Sequence, residues 1–286
     1  MKRWPSQLLA LVAGRRRSRE VGVDSLCDDF PLHGFLDATI STRFVESLSD
    51  EDLETLNQLL PWKSFTADSK GRRFGNRAWE GKREKPEHIP DARIAHMDAR
   101  FQLSRKHVLE FGCFEGAHTI ALCRAAAKVT AVDARIENVV KTIVRTAFFE
   151  CYPTVFKCDV EQEADWALLP TVDVVHHVGV LYHLKDPVNH LLRLGRIARE
   201  GIMLDSHFAH PDEATEHCFV GDQRVSFKRY FEGGRQDVFS GMYDHAKWLT
   251  LDSIRYLLNW AGFGQVEVVE ERAERNGPRF RLFAAR

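Results

Sequence analysis

Short apolar runs alternate with longer amphipathic stretches in the part of the chain that follows Ser104. Runs rich in branched and aromatic residues predict buried strands, whereas apolar residues that recur every three or four positions predict helices. The predicted strands cover residues 107–111, 129–132, 154–157, 172–178 and 201–204, and the predicted helices cover residues 117–127, 137–149 and 187–198. This alternation is typical of an α/β domain with a doubly wound, mainly parallel sheet.

The end of the chain follows a different pattern. A helix is predicted over residues 251–260, and Gly262 ends it. Two strand-like runs follow, over residues 265–270 and 279–284, and the turn sequence Asn276-Gly277-Pro278 lies between them. Because turn residues between two strands favour a hairpin, we expect an antiparallel pair at one edge of the sheet.

Residues 1–104 do not show the alternation and predict an N-terminal extension of helical and irregular structure. Ser49 and the acidic residues after it favour the start of a helix, which Pro61 ends. Residues 63–93 are basic and rich in aromatic side chains, which suits either a solvated connector or a cap over an anionic group. For the cap, the candidate substrate-binding residues are Trp62, Trp79, Lys82 and Arg83.

Residues 206–246 form a long segment without a regular pattern inside the predicted domain of residues 105–286. The segment is rich in aromatic and charged residues. Insertions of this length in a compact domain are usually lids or binding segments. We therefore expect this segment to cover the binding pocket as a lid, and we expect Arg224 and Lys228 to hold an anionic acceptor.

Composition and charge narrow the class of protein. The chain has 286 residues, of which 44% are hydrophobic and 28% charged, and its net charge is −1. This balance predicts a folded protein without the strong positive field that drives unspecific binding of nucleic acids. No apolar run reaches the roughly 20 residues that a membrane span needs, and we expect residues 4–19 to form a surface helix rather than a signal peptide. The six cysteines show no metal-binding spacing, so we expect a reducing, cytoplasmic location.

A junction that contains two glycines follows the first strand of this domain, with the sequence Glu110-Phe111-Gly112-Cys113-Phe114-Glu115-Gly116. The glycines permit a tight turn that brings the backbone close to a ligand, and the next helix directs its free N–H groups at that ligand. The spacing differs from the dinucleotide pattern Gly-x-Gly-x-x-Gly, which argues against a nicotinamide-dependent oxidoreductase. A carboxylate before the first glycine favours a cationic ligand.

This junction resembles the first motif of the class I S-adenosylmethionine-dependent methyltransferases, which is an acidic residue followed by Gly-x-Gly-x-Gly. Phe114 replaces the central glycine. The resemblance covers residues 105–286, and it implies a Rossmann-like sheet of seven strands with an antiparallel last strand. It also implies S-adenosylmethionine as the cofactor. The cofactor-binding residues that it implies are Glu110, Gly112, Cys113, Phe114, Gly116, Asp133, Ala134, Asp159, Val178 and Gly179.

Later junctions add to the resemblance. Asp133 looks like the acid that binds both ribose hydroxyl groups in this family, and Asp159 resembles the acid near the adenine amino group. The segment from Val178 to Pro187 is similar to the fourth-strand segment that passes beneath the transferred methyl group. The chain also resembles a branch of the family that includes the bacterial enzymes that carboxymethylate the wobble uridine of transfer RNA.

An acceptor with a hydroxyl or amine group needs a base that takes its proton, and histidine suits this task near neutral pH. His183 is the first candidate because it follows the carboxyl end of the fourth strand, although its ring could instead pack against this loop. His207 follows the next strand in the same way, and we expect Tyr182 to contact the cofactor or the substrate. Metal binding is an alternative that we do not favour, because no tight ligand spacing supports it. Its ligands would be Asp205, His207, His210 and Asp212.

The sequence therefore predicts a methyltransferase that moves a methyl group to oxygen or nitrogen of a small molecule, such as a sugar or another metabolite. A second hypothesis is a transferase that modifies the wobble uridine of transfer RNA, in which Lys82 or Arg83 holds the extra carboxylate of a carboxylated cofactor. A third hypothesis is a catalytically silent binding protein of the same fold, in which Phe114 marks the loss of cofactor binding.

Overall fold

The computed structural model describes residues 41–76 and 85–286. Trp79, Lys82 and Arg83 lie outside these residues, as does the N-terminal segment 4–19, so the expectations for them stay predictions. No helix in the described ranges is long and apolar enough to cross a membrane.

The described residues form eight α-helices and twelve strands. The helices are α1 (Arg43–Glu46), α2 (Asp50–Leu59), α3 (Ala92–Phe101), α4 (Ala117–Ala125), α5 (Ile136–Phe148), α6 (Glu163–Trp166), α7 (Pro187–Ile197) and α8 (Leu251–Trp260). The strands are β1 (Phe65–Ala67), β2 (Arg73–Gly75), β3 (His107–Phe111), β4 (Lys128–Asp133), β5 (Thr154–Lys157), β6 (Val172–Val178), β7 (Ala198–His207), β8 (Glu216–Val220), β9 (Gln223–Phe231), β10 (His245–Leu249), β11 (Gln265–Glu274) and β12 (Gly277–Ala285).

Seven of the strands form one sheet in the order β11-β12-β7-β6-β3-β4-β5. The pairs from β7 to β5 are parallel, and β12 runs antiparallel to both of its neighbours. This topology confirms the predicted doubly wound sheet with an antiparallel last strand. The terminal hairpin is also confirmed, with β11 at the edge. Since β3, β4, β5, β6 and β7 are parallel, their carboxyl ends lie along the same edge of the sheet.

Apolar side chains cover both faces of the sheet because neighbouring residues of a strand point to opposite sides. On β3, Val108 belongs to one apolar cluster and Leu109 to the other. The cluster around Leu109 packs against α7 and α8, and the cluster around Val108 packs against α3 and α4. Both clusters contain fully buried side chains, so the sheet is a rigid support for the loops at its carboxyl edge.

The extension contains more regular structure than the sequence predicts. The helix after Ser49 is confirmed as α2, and the Ser49 hydroxyl accepts a hydrogen bond from the backbone N–H of Asp52. Residues 63–93 are not irregular throughout, because β1 and β2 form an antiparallel pair and α3 begins at Ala92. Strands of three residues are too short to show a period in the sequence, which explains why they escaped prediction.

The insertion is also regular, which corrects the expectation of an irregular lid. Its strands β8, β9 and β10 form an antiparallel sheet in the order β10-β9-β8. Gly221 and Asp222 form the two-residue turn between β8 and β9, and Gly221 has a φ of +56°. A two-residue turn with glycine at a positive φ is a hairpin signal. The many charged residues between the aromatic ones obscured the alternation of buried and exposed positions.

Candidate active site

A cavity of about 1010 Å³ opens at the carboxyl ends of β3, β4, β6 and β7. Ligands of open α/β sheets bind at this edge, where the loops after the parallel strands meet. The structure brings most of the predicted cofactor-binding and catalytic residues together in this cavity. They are Glu110, Gly112, Cys113, Phe114, Asp133, Ala134, Asp159, Val178, Gly179, Tyr182, His183 and His207.

The turn after β3 uses backbone conformations that favour glycine. Gly112 has a φ of +68°, and a Cβ at this position would lie 2.4 Å from Cγ2 of Val180. Gly116 caps the start of α4 and packs against Thr142 rather than lining the cavity. Phe114, which replaces the central glycine of the motif, also has a positive φ of 51°. The turn therefore keeps a glycine-like path despite the larger side chain.

Asp133, the last residue of β4, presents a carboxylate to the cavity. Its Oδ1 accepts hydrogen bonds from the backbone N–H of Arg135 at 2.9 Å and from Nδ2 of Asn138 at 3.1 Å. Its Oδ2 accepts a hydrogen bond from the backbone N–H of Phe114 at 3.1 Å. Burial raises the pKa of Asp133, and these donors oppose the shift. The carboxylate is thus held between two loops, where it can accept hydrogen bonds from paired hydroxyl groups.

Glu110, on β3, is a buried carboxylate on the same cavity. The hydroxyl of Thr119 donates a hydrogen bond to its Oε2 at 2.6 Å, and its Oε1 lies 3.9 Å from Nδ1 of His176. Burial raises the pKa of Glu110 to about 7, although His118 and Thr119 oppose this shift. Neither ring nitrogen of His176 has a hydrogen-bond partner among the described residues. The site therefore offers buried acceptors to a ligand that carries hydrogen-bond donors.

Glu110, His118 and His176 are the only group of three or more His, Cys, Asp and Glu residues within the described ranges whose ligand atoms all lie within 4.8 Å of one another. However, the Arg93 guanidinium lies 3.2 Å from Nε2 of His118 and pairs with Asp91. A guanidinium at this distance, next to the positive N-terminal end of α4, opposes a metal cation. Glu110 and the nearby Arg93 are better suited to a ligand that has both an ammonium and a carboxylate group. The carboxylate of Glu110 attracts an ammonium group, and the guanidinium of Arg93 attracts a carboxylate.

Asp159 lies after β5 and is held by two contacts. The backbone N–H of Glu161 donates a hydrogen bond to its Oδ1 at 3.1 Å, and the hydroxyl of Tyr243 donates to its Oδ2 at 3.4 Å. Tyr243 belongs to the insertion, so the insertion reaches the same side of the cavity as β5. Five residues of the loop between β9 and β10 line the cavity, and they are Val238, Phe239, Ser240, Gly241 and Met242. This loop therefore forms part of the cavity wall.

The short 3-10 turn after β6 carries Tyr182 and His183. Nδ1 of His183 lies 2.6 Å from Oε1 of Glu232, at the end of β9. The ring of Tyr182 lies 4.7 Å from that of His207. Burial raises the pKa of Tyr182, although Arg279 opposes the shift, so its phenol stays protonated at neutral pH. The sequence did not predict Glu232, since it is 49 residues from His183 along the chain.

His207, the last residue of β7, is a packed aromatic side chain. Its ring stacks on Trp248 with centroids 5.0 Å apart. Its Nδ1 lies 3.1 Å from the carbonyl oxygen of Pro278, which can only accept, so Nδ1 carries a proton. Burial lowers the pKa of His207, and the nearby Arg279 lowers it further. His207 is therefore a neutral imidazole at physiological pH.

An arginine–carboxylate cluster, which consists of Arg93, Asp205, Arg272, Glu274 and Arg279, lies beside Gly179 and was not predicted as a site. All of its members except the buried Asp205 line the cavity. Arg272 and Arg279 both bind the buried Asp205, and Arg272 also binds Glu274 at 2.9 Å. Burial favours protonation of Asp205, but Arg279 and Arg93 outweigh it and lower the pKa. The sequence contains one signal for this cluster. Charged residues stand at alternate positions 270, 272 and 274 of β11, and alternate residues of a strand lie on one face of the sheet.

Several predicted residues lie elsewhere. Trp62 is 5% exposed and packs against Phe74 in the core, so it does not line the cavity. Arg224 and Lys228 lie on β9 and do not line it either, and Lys228 pairs with Glu213 at 2.9 Å. The alternative metal set is not assembled, because Asp205 binds arginines and His207 stacks on Trp248.

Comparison with known proteins gives a family and a set of structural neighbours. The sequence matches the methyltransferase domain family over residues 80–268, and no curated protein sequence matches it. The N-terminal domain of EvdMO1, crystallised in the presence of S-adenosylhomocysteine and D-fucose, matches with a TM-score of 0.68 and 24% identity, over 84% of this chain and 98% of that one. The same domain with S-adenosylhomocysteine bound gives a TM-score of 0.69 and 24% identity, over 82% and 96% of the two chains.

A more distant neighbour is the magnesium protoporphyrin IX methyltransferase ChlM from Synechocystis PCC 6803, with S-adenosylmethionine bound. Its TM-score is 0.48 at 20% identity, and the match covers 68% of this chain and 77% of that one. At 24% identity, the likeness to the EvdMO1 domain shows a shared fold.

Proposed function

Because the chain belongs to the methyltransferase domain family and is a class I S-adenosylmethionine-dependent methyltransferase, we propose that it methylates a hydroxyl group of a sugar-like small molecule. The observation that carries this proposal is the arginine–carboxylate cluster beside Gly179, since it adjoins the segment that the family places under the methyl group. Paired guanidinium and carboxylate groups offer fixed donors and acceptors at short spacing, which suits neighbouring hydroxyl groups.

The residues of the cavity fit S-adenosylmethionine. Gly112 lines the cavity and has no side chain, so a ligand can approach its backbone closely. The carboxylate of Asp133 can accept from both ribose hydroxyls, and Glu110 and Arg93 can bind the ammonium and carboxylate of the methionine end. When bound, the cofactor supplies a methyl group that its sulfonium activates for displacement.

Aromatic rings support a sugar acceptor further. Tyr182 and His207 are perpendicular to one another on the cavity, and the guanidinium of Arg279 lies 5.6 Å from the ring centroid of Tyr182. Aromatic side chains pack against the apolar faces of sugar rings, while adjacent charged groups bind the hydroxyls. The neighbour crystallised in the presence of D-fucose has the same fold, which makes D-fucose and related sugars the first acceptors to test.

In the proposed mechanism, the residues of this chain align the acceptor and take up its proton. Arg272, Glu274 and Arg279 of the arginine–carboxylate cluster hold the acceptor so that one hydroxyl oxygen faces the methyl group. Alignment of two reactants in this way supplies about 7–11 kcal/mol of the barrier reduction. His183 is the proposed base, and it takes the proton of the attacking hydroxyl as the new oxygen–carbon bond forms.

The proposal is tested in two steps. The first step is calorimetry with S-adenosylmethionine and S-adenosylhomocysteine on the wild type and on Asp133→Ala. We expect the variant to bind both ligands at least tenfold more weakly, because it loses the carboxylate that accepts the ribose hydrogen bonds. No heat of binding in the wild type would support the silent binding protein instead.

The second step offers methyl-labelled S-adenosylmethionine with a panel of free and nucleotide-linked sugars, small amines and transfer RNA transcripts. We expect label in a sugar and an Arg279→Lys variant with an increased KM for that sugar, because lysine cannot reproduce the planar contacts of arginine. Label in transfer RNA and in no sugar would overturn the sugar proposal and indicate methyl transfer to RNA.

A further inference from the structure

The insertion contributes a carboxylate to the proposed base. Glu232 directly follows β9, and its Oε1 lies 2.6 Å from Nδ1 of His183. Its side chain is 3% exposed, and that of His183 is 18% exposed. His183 lines the cavity, whereas Glu232 does not. Glu232 is therefore a buried carboxylate that contacts His183 and does not contact the cavity itself.

The second oxygen of Glu232 is also occupied. The backbone N–H of Gly241 donates a hydrogen bond to Oε2 at 2.6 Å. A Cβ at Gly241 would lie 2.3 Å from the carbonyl oxygen of His183, so this close approach depends on glycine. Both oxygens of Glu232 thus accept hydrogen bonds, and an amide in place of the carboxylate could satisfy only one of the two donors.

The loop that surrounds Glu232 is anchored to the cofactor side of the cavity. Nη2 of Arg135 donates hydrogen bonds to the carbonyl oxygens of Gly234, Asp237 and Gly241, at 3.2, 2.8 and 3.1 Å. Arg135 lies two residues after Asp133, the proposed ribose ligand, and its backbone N–H binds that carboxylate. The segment that holds Glu232 is therefore attached to the same strand end that holds the cofactor.

The geometry determines where His183 carries its proton. An ionised carboxylate can only accept, so Nδ1 of His183 must be the donor in the 2.6 Å contact. A neutral imidazole with a proton on Nδ1 has an unprotonated Nε2, which is the atom that a general base needs. The alternative tautomer would leave a lone pair of Nδ1 facing a carboxylate, which is repulsive.

We propose that Glu232 is a positioning residue that fixes the orientation and the tautomer of His183, so that the insertion completes the active site in addition to covering it. This inference rests on the proposed role of His183 as the base. Glu232 acts through His183, because it does not line the cavity itself. It also stabilises the imidazolium that forms when His183 has taken the acceptor's proton, since a negative group then lies next to a positive one.

The test is nitrogen-15 NMR of protein labelled at its histidines, recorded for the cofactor-bound wild type, for Glu232→Gln and for His183→Asn, which identifies the His183 signals. The nitrogen shifts of a neutral imidazole distinguish the two tautomers. The matched control is Glu216→Gln, which removes a carboxylate from the same small sheet, where Glu216 pairs with Arg229 in a partly exposed contact.

We expect the neutral His183 of the wild type to carry its proton on Nδ1 and the Glu232→Gln variant to lose this preference, while the control matches the wild type. Once the labelling assay has identified an acceptor, Glu232→Gln should lower kcat for that acceptor at least tenfold and leave its KM within twofold. A wild-type His183 with its proton on Nε2 would overturn the proposal, even if Glu232→Gln does not fold.

An unchanged tautomer in a folded Glu232→Gln variant would overturn it as well. The NMR measurement needs no acceptor, so its failure is distinguishable from failure of the sugar proposal, which the labelling assay tests.

Discussion

The glycine turn between β3 and α4 contains a buried ion pair, and removal of this pair leads to a quantitative prediction. Glu115 lies inside this turn, with its side chain fully buried. Its carboxylate accepts hydrogen bonds from the backbone N–H groups of Lys63 and Ser64 at 2.7 and 2.8 Å, and from Nζ of Lys141 at 2.9 Å. Arg145, also fully buried, lies 3.8 Å away. One carboxylate thus joins the extension, the turn and α5.

Glu115→Gln preserves the shape of the side chain and removes its charge. Lys141 is 3% exposed, and Glu115 is the only carboxylate that it contacts among the described residues, so the variant leaves a buried ammonium without a counter-ion. Removal of one partner of a buried ion pair costs about 3–5 kcal/mol. For a domain of this size, that loss lowers Tm by roughly 6–20 °C.

The assay is urea denaturation of the cofactor-free protein, followed by circular dichroism, together with a thermal melt. Glu216→Gln, which breaks the exposed pair with Arg229, is the control, and it should cost no more than about 1 kcal/mol. Glu115→Gln combined with Lys141→Met should be less destabilised than the single Glu115 variant, because the uncompensated charge is gone. A loss below about 1 kcal/mol in the single variant would refute the reasoning.

Three further predictions concern the cavity. Gly112→Ala should weaken S-adenosylmethionine binding at least tenfold in calorimetry, because its Cβ would lie 2.4 Å from Val180 at a positive φ, whereas Gly264→Ala, with no atom within 4 Å, should bind normally. His183→Ala should lower kcat by about 10²–10⁴-fold with cofactor affinity unchanged, and a wild-type rate would exclude His183 as the base. Burial raises the pKa of Glu110 from 4.5 to about 7. Ionisation of Glu110 should therefore lower the free energy of unfolding of the cofactor-free protein as the pH rises from about 4.5 to 8. Urea denaturation should therefore show Glu110→Gln equal to the wild type at pH 4.5 and more stable than it at pH 8, and an equal difference at both values would contradict this shift.

The sequence determined the central fold and the set of strand-end residues that line the cavity, because both are encoded locally. Alternation of apolar runs and amphipathic stretches marks which face of each strand and helix is buried, and the observed sheet agrees with it. Glu110, Gly112 and Asp133 were placed at the cavity because each lies within one residue of the end of a strand, and parallel strands bring their carboxyl ends to one edge. No long-range information is needed for either inference.

Only the tertiary structure decided which residues form the arginine–carboxylate cluster and which carboxylate contacts His183. Asp205 meets Arg272 and Arg279 because an antiparallel hairpin folds back on β7, and these contacts join residues 67 and 74 positions apart. Glu232 reaches His183 because the insertion folds into a sheet whose end meets the turn after β6. Such contacts depend on how separate elements pack, and a charged residue looks the same in the sequence whether it faces water or a buried partner.

The same reason explains the residues that changed role. Trp62 was predicted to bind the substrate because an aromatic residue beside basic ones suits a ligand surface. In the structure it packs against Phe74, with the guanidinium of Arg145 over its ring. The aromatic and basic residues contact one another inside the protein, and only the path of the chain through β1 and β2 places them there.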